Sequence, residues 1–225
     1  MFGQQRVVRT IAPGLIGALL LAGCGSDDPW GAPRVEPVPS GTLGVGFFDP
    51  DTPPPPEGTI NPVEGSWDGV DPPAGYRVVL LTAGDDEPTA VLAAAVEAWA
   101  GAEGVRLRVV HVDGPDDHVA GIVRAMELGP DLIVSASASM TPALDLVTAN
   151  HLDQQFLVVG AQLSEPTVNV TAVIWAGASA HDGAAPAPRT ALDPGAFTPD
   201  RAGRAIRAGV ASVLSDLTGI VVVLS

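Results

Sequence analysis

Six short apolar runs, rich in valine and isoleucine, recur along the last two thirds of the chain. They are Val78–Leu81, Leu107–Val110, Leu132–Val134, Phe156–Val159, Val170–Trp175 and Ile220–Leu224. They lack the regular alternation of apolar and polar positions that a strand with one solvated face shows. The pattern is typical of strands covered on both faces, as in a parallel sheet.

Four segments between these runs carry apolar residues at helical spacing. The first begins near Pro88 and the second near Pro115, because proline suits a first helical turn. Thr141 and Thr198 each stand directly before a proline and are expected to cap the third and fourth helices. The expected apolar faces are Val91, Leu92, Ala95, Val96 and Trp99; Val119, Ile122, Val123 and Met126; and, for the fourth helix, Ala202, Ile206, Val210, Val213 and Leu217.

Strand and helix patterns alternate through residues 76–225, which predicts one α/β domain. Its sheet is expected to be doubly wound and mostly parallel, with right-handed crossovers that place helices on both faces. No helical pattern separates the fourth strand from the fifth. Residues 177–198 are rich in alanine, proline and glycine and are expected to form a long surface loop.

Residues 24–75 have the composition of a spacer. They hold twelve of the 22 prolines, and Arg34 is the one cation among nine acidic residues. Such a stretch buries too little apolar surface to offset its ordering entropy, so we expect a mostly disordered, extended linker. Trp67 is expected to pack on the domain edge, and a ligand-stacking role is the alternative.

The chain begins like a secreted protein. Arg6 and Arg9 precede an apolar stretch of about twelve residues, which is too short to span a bilayer but suits a signal peptide over residues 1–23. The sequence Leu-Ala-Gly-Cys that ends at Cys24, the only cysteine, resembles the bacterial lipobox. The resemblance implies that Cys24 is lipidated and anchors the secreted chain to the outer face of the cell membrane. An ordinary signal peptide with an incidental cysteine is the alternative.

The formal charge is −15, and it becomes −17 once Arg6 and Arg9 are removed with the signal peptide. Every basic residue is arginine. An acidic surface repels phosphates, which disfavours nucleic acid as a partner. It also disfavours adhesion to anionic lipid, so the lipid on Cys24 has to hold the protein. The acidity itself is explained most simply by solubility.

Candidate binding residues lie where the predicted strands end, because ligands of open α/β sheets bind at the carboxyl ends of the strands. The candidates are Asp85, Asp86, Ser137, Ser139, Met140, Gln162 and Trp175. Asp85, Asp86 and Glu87 also suit the amino terminus of the first helix, where carboxylates cap free amides. Small residues from Ser135 to Pro142 could equally serve tight packing. No glycine-rich phosphate motif is present, so no nucleotide cofactor is expected.

Two further clusters resemble chemical sites less well. His111, Asp113, Asp116, Asp117 and His118 have metal-binding side chains, but Gly114 and Pro115 favour a turn into a helix, and no metal site is expected. Ser179, His181 and Asp182 lie close in sequence on an expected loop, without the rigid scaffold that a catalytic triad requires. No nucleophile elbow is present, and we expect no enzymatic activity.

The stretch from Asp131 to Trp175 resembles lipoproteins of the basic membrane protein family. Asn150, Asp153, Gln154, Gln155 and Phe156 carry the match best, followed by Pro166, Asn169 and Val170. The resemblance implies one lobe of a type I periplasmic-binding-protein fold and a solute-binding role beside the permease of an ATP-driven importer. Many members bind nucleosides, which makes a small solute of that kind the expected ligand.

The chain departs from that family at two points. The first strand–helix loop has the acids Asp85 and Asp86 without the family's Phe-Asn pair, and Gly160 replaces an aspartate. The second lobe, which would close over a ligand, is expected to be missing. Two hypotheses therefore stand: a small-solute receptor that completes its cleft by pairing two copies, or a one-lobe derivative that acts as an envelope interaction or structural lipoprotein. The sequence does not give the oligomeric state.

Overall fold

The computed structural model describes residues 29–31, 38, 40–164, 166–178 and 192–225. Its strands are β1 Ser40–Gly41, β2 Thr59–Ile60, β3 Val70–Asp71, β4 Arg77–Ala83, β5 Arg106–Val112, β6 Leu132–Ser135, β7 Gln155–Val159, β8 Val170–Trp175 and β9 Val221–Leu224. Its α-helices are α1 Glu87–Glu103, α2 His118–Glu127, α3 Thr141–Thr148 and α4 Pro199–Leu214. All six predicted strands are present within one or two residues of their expected bounds.

The main sheet has seven strands in the order β2-β9-β8-β7-β6-β4-β5, and every neighbouring pair is parallel. Helices α1 and α4 pack on one face, and α2 and α3 pack on the other. The prediction of a doubly wound parallel α/β sheet is confirmed. The chain steps from β4 outward to β5 and then returns past β4 to β6, which creates a topological switch point between β4 and β6.

The connection from β8 to β9 differs from the other crossovers. The chain steps from β8 to β9 in the same direction as from β6 to β7, yet α4 packs on the opposite face from α3. Its hand is therefore opposite to that of the three connections that carry α1, α2 and α3. Such crossovers are almost always right-handed, and the expectation of uniformly right-handed connections fails at α4.

Residues 40–75 correct the expectation of an extended linker over that range. Strands β1 and β3 pair antiparallel, and β2 adds a parallel edge strand beside β9. Phe47 and Trp67 are 1% and 4% exposed and belong to the core on the α1 and α4 face. Trp67 packs against the domain as expected. The segment is folded because these aromatic side chains supply the apolar burial that its prolines cannot.

Strand β5 and helix α2 correct two further expectations. Strand β5 forms the sheet edge, so Val109 is 52% exposed and the strand is not covered on both faces. Helix α2 buries His118, Gly121, Ile122 and Ala125, whereas Val119 and Val123 are exposed. The buried face is rotated because Gly121 lies against Val112, where an added Cβ would approach that side chain to 2.3 Å.

The helix starts match the sequence unevenly. Thr198 caps α4 by accepting a hydrogen bond from the Arg201 amide. Thr141 does not cap α3; the helix follows a short 3-10 turn over Ala138–Met140, and Thr141 donates to the Ala138 carbonyl instead. Leu217, expected on the apolar face of the fourth helix, lies beyond its end at Leu214.

Candidate functional site

A pocket of about 230 Å³ lies at the switch point, where strands β4, β6 and β7 end. The loop after each of these strands contributes to its wall, and the chain before α4 closes one side. The lining residues are Asp86, Pro88, Thr89, Leu92, Ala136, Ala138, Ser139, Val159, Gly160, Leu192, Pro194 and Phe197. This is the position at which open α/β sheets bind ligands.

Asp86 and Thr89 form the polar side of the pocket. Asp86 is the N-cap of α1: its carboxylate accepts from the Thr89 amide at 3.0 Å and from the Thr89 hydroxyl at 2.9 Å. The negative charge is favourable there because the free amides of the first helical turn carry a partial positive charge. Asp86 is therefore oriented by the helix start and still lines the pocket, whereas Asp85 is exposed outside it.

Ser137 is buried next to Thr89 and helps to position the start of α1. It is 1% exposed, and its Oγ accepts from the Ala83 amide at 2.8 Å and lies 3.2 Å from Thr89 Oγ1. These contacts join the ends of β4 and β6 to the start of α1. Ser137 is a positioning residue rather than a wall of the pocket, whereas its neighbour Ser139 is exposed at the rim.

Phe197 forms the opposite, apolar wall. Its ring lies against Gly160, which has a φ of +77°, and an added Cβ on that glycine would approach the ring to 2.6 Å. Trp175 meets Phe197 edge to face at 5.0 Å between ring centroids, and its Nε1 donates to the Ala196 carbonyl at 3.1 Å. Trp175 thus holds the Phe197 wall and does not line the pocket itself.

The remaining sequence candidates lie elsewhere. Met140 is fully buried on the α2 and α3 face of the sheet, where it packs with Leu144. Gln162 is partly buried after β7 and does not line the pocket. The structure therefore brings together Asp86 and Ser139 from the predicted set. Sequence analysis missed Thr89 and Phe197, although the position of Thr89 in the first turn of a capped helix was a usable signal.

Two other concavities are larger but have fewer polar groups that could contact a ligand. One of about 960 Å³ lies within residues 43–61 and is lined mainly by apolar and proline side chains. Its carboxylate, Asp49, already accepts from the Asp51 amide. The other, about 540 Å³, is a shallow alanine-rich groove between α1 and α4. Neither lies at strand ends with converging polar groups, so the switch-point pocket is the candidate site.

The histidine and aspartate cluster is spread over β5 and α2. His111 Nδ1 lies 3.0 Å from Thr82 Oγ1, and its Nε2 lies 3.6 Å from Asp113. His118 is buried at the start of α2. Within the described ranges, no group of three or more metal-binding side chains converges.

Several sequence predictions fall outside the described residues. They are the signal peptide, the lipidation site Cys24, and the Ser179, His181 and Asp182 group. Among the helices that the structure describes, none is both long enough and apolar enough to cross a membrane.

Comparison with known proteins yields neither a matching protein family nor a matching curated protein. The resemblance to the basic membrane protein family therefore stays a prediction. Solved structures give distant likenesses. An ABC transporter solute-binding protein from Aeropyrum pernix K1 is 19% identical over 45% of this chain, with a TM-score of 0.41. Another, from Conexibacter woesei DSM 14684, is 18% identical over 44%, with a TM-score of 0.38.

A fragment described as a lipoprotein from Peptoclostridium difficile 630 is 13% identical over 64% of this chain, with a TM-score of 0.45. The match covers 99% of that fragment but 29% and 35% of the two solute-binding proteins. The chain thus spans about a third of the length of those two proteins. At these TM-scores the likenesses carry no conclusion about the ligand or the partner of this chain.

Proposed function

We propose that the protein is a lipid-anchored lipoprotein of the bacterial envelope whose α/β lobe binds a small solute at the switch-point pocket. The observation that supports this best is the convergence of Asp86, Thr89 and Ser139 with the apolar Phe197 wall where β4, β6 and β7 end. A few placed polar groups in an otherwise apolar concavity is the usual composition of a ligand site. The proposal includes a binding role without catalysis.

The pocket selects by size and polarity. Its volume of about 230 Å³ is below the several hundred cubic ångströms of drug-sized sites, so a compact solute fits better than a large one. Asp86 and Thr89 suit a ligand that donates a hydrogen bond, and Leu92 and Phe197 suit an apolar portion. A nucleoside, which the family resemblance suggests, offers both kinds of group, because its hydroxyl groups donate hydrogen bonds and its base has an apolar face.

Membrane attachment rests on the sequence alone. The charged start, apolar stretch and lipobox-like ending at Cys24 together support lipidation of the secreted chain. Metabolic labelling with a radioactive or alkyne-bearing fatty acid in a bacterial host tests it. Label is expected on the wild type and absent from Cys24→Ser; equal labelling of both would contradict it.

Isothermal titration calorimetry on the Cys24–Ser225 chain tests ligand binding, with nucleosides, nucleobases, amino acids and small amines as probes. Saturable binding is expected for a compact donor-bearing solute. Ser139→Phe places a ring at the rim and is expected to abolish binding. Ser164→Phe is the matched control, because Ser164 is exposed and does not line the pocket, although it follows Gly160 in the loop after β7. Equal binding by both variants would contradict the site.

The second candidate is an envelope interaction protein that binds no solute. Its supporting observation is that Ser137, Met140 and Trp175, three of the seven predicted binding residues, are buried and used within the fold. A well-folded chain that binds none of the calorimetry probes would favour this alternative. Light scattering on the same sample gives the oligomeric state and tests whether two copies pair to complete a cleft. An ABC permease remains the partner expected of the solute-binding role.

A further inference from the structure

Trp30 is held against the domain six residues after the proposed anchor at Cys24. Its indole Nε1 donates to the Leu128 carbonyl at 2.6 Å. The ring lies under two guanidinium groups, with Arg108 at 4.8 Å and Arg77 at 5.8 Å from its centroid. Arginine over tryptophan is the favoured cation–π pair, so three contacts fix this side chain to the folded lobe.

All three contacts belong to one end of the lobe. Arg77 is the first residue of β4, Arg108 is near the start of β5, and Leu128 directly follows α2. Because the strands of the main sheet are parallel, their amino-terminal ends share one edge, and the switch-point pocket lies at the other. The six residue steps from Arg77 to Ala83 separate the two edges by about 20 Å.

The chain between Cys24 and Trp30 limits how the lobe can stand. Fully extended, six residue steps reach about 20 Å, and as a relaxed coil they span about 13 Å. If the pocket edge faced the bilayer instead, Trp30 would lie farther from the membrane surface by the distance between the two edges, about 20 Å. The tether would then be stretched to its limit, at a large cost in conformational entropy.

We infer that the lobe stands on the bilayer with the amino-terminal edge of its sheet toward the lipid and the pocket toward the outside. This inference rests on the proposed lipid anchor. The partner of that edge is the bilayer surface itself, reached through the Cys24 lipid and positioned by Trp30.

Tether length, and not charge, sets this orientation. The edge that carries Arg77 and Arg108 also carries Asp131 and Glu127, and the chain as a whole is strongly acidic. Asp131 accepts from the Arg77 amide at 2.8 Å. The orientation is therefore expected to persist in neutral lipid and at high salt, where electrostatic attachment is screened.

The orientation has a consequence for transport. While Trp30 is docked, the pocket faces away from the membrane, and a permease in the same bilayer is out of its reach. Solute enters from the outside without obstruction, but delivery to a membrane partner requires Trp30 to release. Once Trp30 is released, the next residue that the structure describes as paired is Ser40, sixteen residue steps from the anchor.

Energy transfer on vesicles tests the inference. The Cys24–Ser225 chain has one thiol, so it couples through Cys24 to maleimide-bearing lipid in phosphatidylcholine vesicles. This imposes the anchor chemically, so the result does not depend on lipidation in cells. A donor dye on a non-natural residue at position 139 reports the pocket edge, and one at position 127 reports the opposite edge; both positions are exposed. Lipid that carries the acceptor dye is present in the outer leaflet.

Transfer from position 127 is expected to exceed transfer from position 139 several-fold, in low and high salt alike. Equal transfer, or greater transfer from position 139, would overturn the inference. Two variants test its cause. Trp30→Ala is expected to make the transfer efficiencies from positions 127 and 139 similar. A twelve-residue Gly/Ser insertion after Gly25, tested separately, is expected to do the same. Val45→Ala, at a fully exposed position of the amino-terminal segment, is expected to leave them apart. An unchanged difference in the insertion variant would contradict control by the tether.

Discussion

The Phe197 ring packs directly on Gly160, in the space that any larger residue at position 160 would need. The two residues are separated by 37 positions in sequence, and their contact builds one wall of the pocket. Gly160 also has a left-handed backbone, which penalises side chains independently of the ring. The contact therefore has two separable energetic components.

Gly160→Ala is predicted to lower the free energy of unfolding by about 2–4 kcal/mol, from backbone strain and overpacking together. In a Phe197→Ala background the same change should cost only the backbone part, about 1–2 kcal/mol. Urea unfolding of the four proteins in this double-mutant cycle measures the difference. Equal costs in both backgrounds would show that the ring does not rest on Gly160.

Ser137→Ala is predicted to lower stability by about 1–3 kcal/mol, because the buried Ala83 amide loses its acceptor. Ser139→Ala, two residues along at the exposed rim, should stay within about 0.5 kcal/mol of wild type. Thermal unfolding compares them. A harmless Ser137→Ala would remove Ser137 from its positioning role.

Phe47→Ala is predicted to destabilise the lobe by about 3–5 kcal/mol, since this ring is buried in the core. Val45→Ala, at a fully exposed position in the same segment, is the control and should be nearly neutral. If both changes proved neutral, residues 40–75 would behave as a linker after all.

Ile122→Ala is predicted to lower the free energy of unfolding by about 2–5 kcal/mol, because the Ile122 side chain is fully buried on the inner face of α2. Val123→Ala should cost less than about 1 kcal/mol, since Val123 faces solvent. The sequence pattern alone expects both to be buried. Denaturant midpoints of the two variants therefore decide which face of α2 packs on the sheet, and similar losses would favour the face that the sequence suggested.

The six strands could be predicted because each is a short apolar run between polar segments. Burial on both faces explains that signal in all of them except the edge strand β5, where Val109 is exposed. The face of α2 could not be predicted, because a close approach between Gly121 and Val112 places a glycine inside and leaves valines outside. The folding of residues 40–75 was hidden by their prolines, although Phe47 and Trp67 were visible signs of a buried face.

The site was predictable by location but less so by residue. The rule that ligands bind at strand ends led to Asp86 and Ser139, which line the pocket. It could not show that Met140 is buried on the α2 and α3 face of the sheet. Nor could it show that Ser137 Oγ accepts a hydrogen bond from the Ala83 amide. Phe197 could not be predicted, because its contact with Gly160 is long-range. Phe197 also follows a loop whose sequence has no strand or helix pattern.

The proposed function requires a small solute to bind at the switch-point pocket. Nuclear magnetic resonance of the ¹⁵N-labelled Cys24–Ser225 chain, titrated with whichever calorimetry probe binds best, tests it most directly. Saturable chemical-shift changes are expected in the amides of Thr89, Ser139 and Gly160, and none in those of Val109 or Val123. Shift changes that bypass the pocket, or none with any probe, would contradict it.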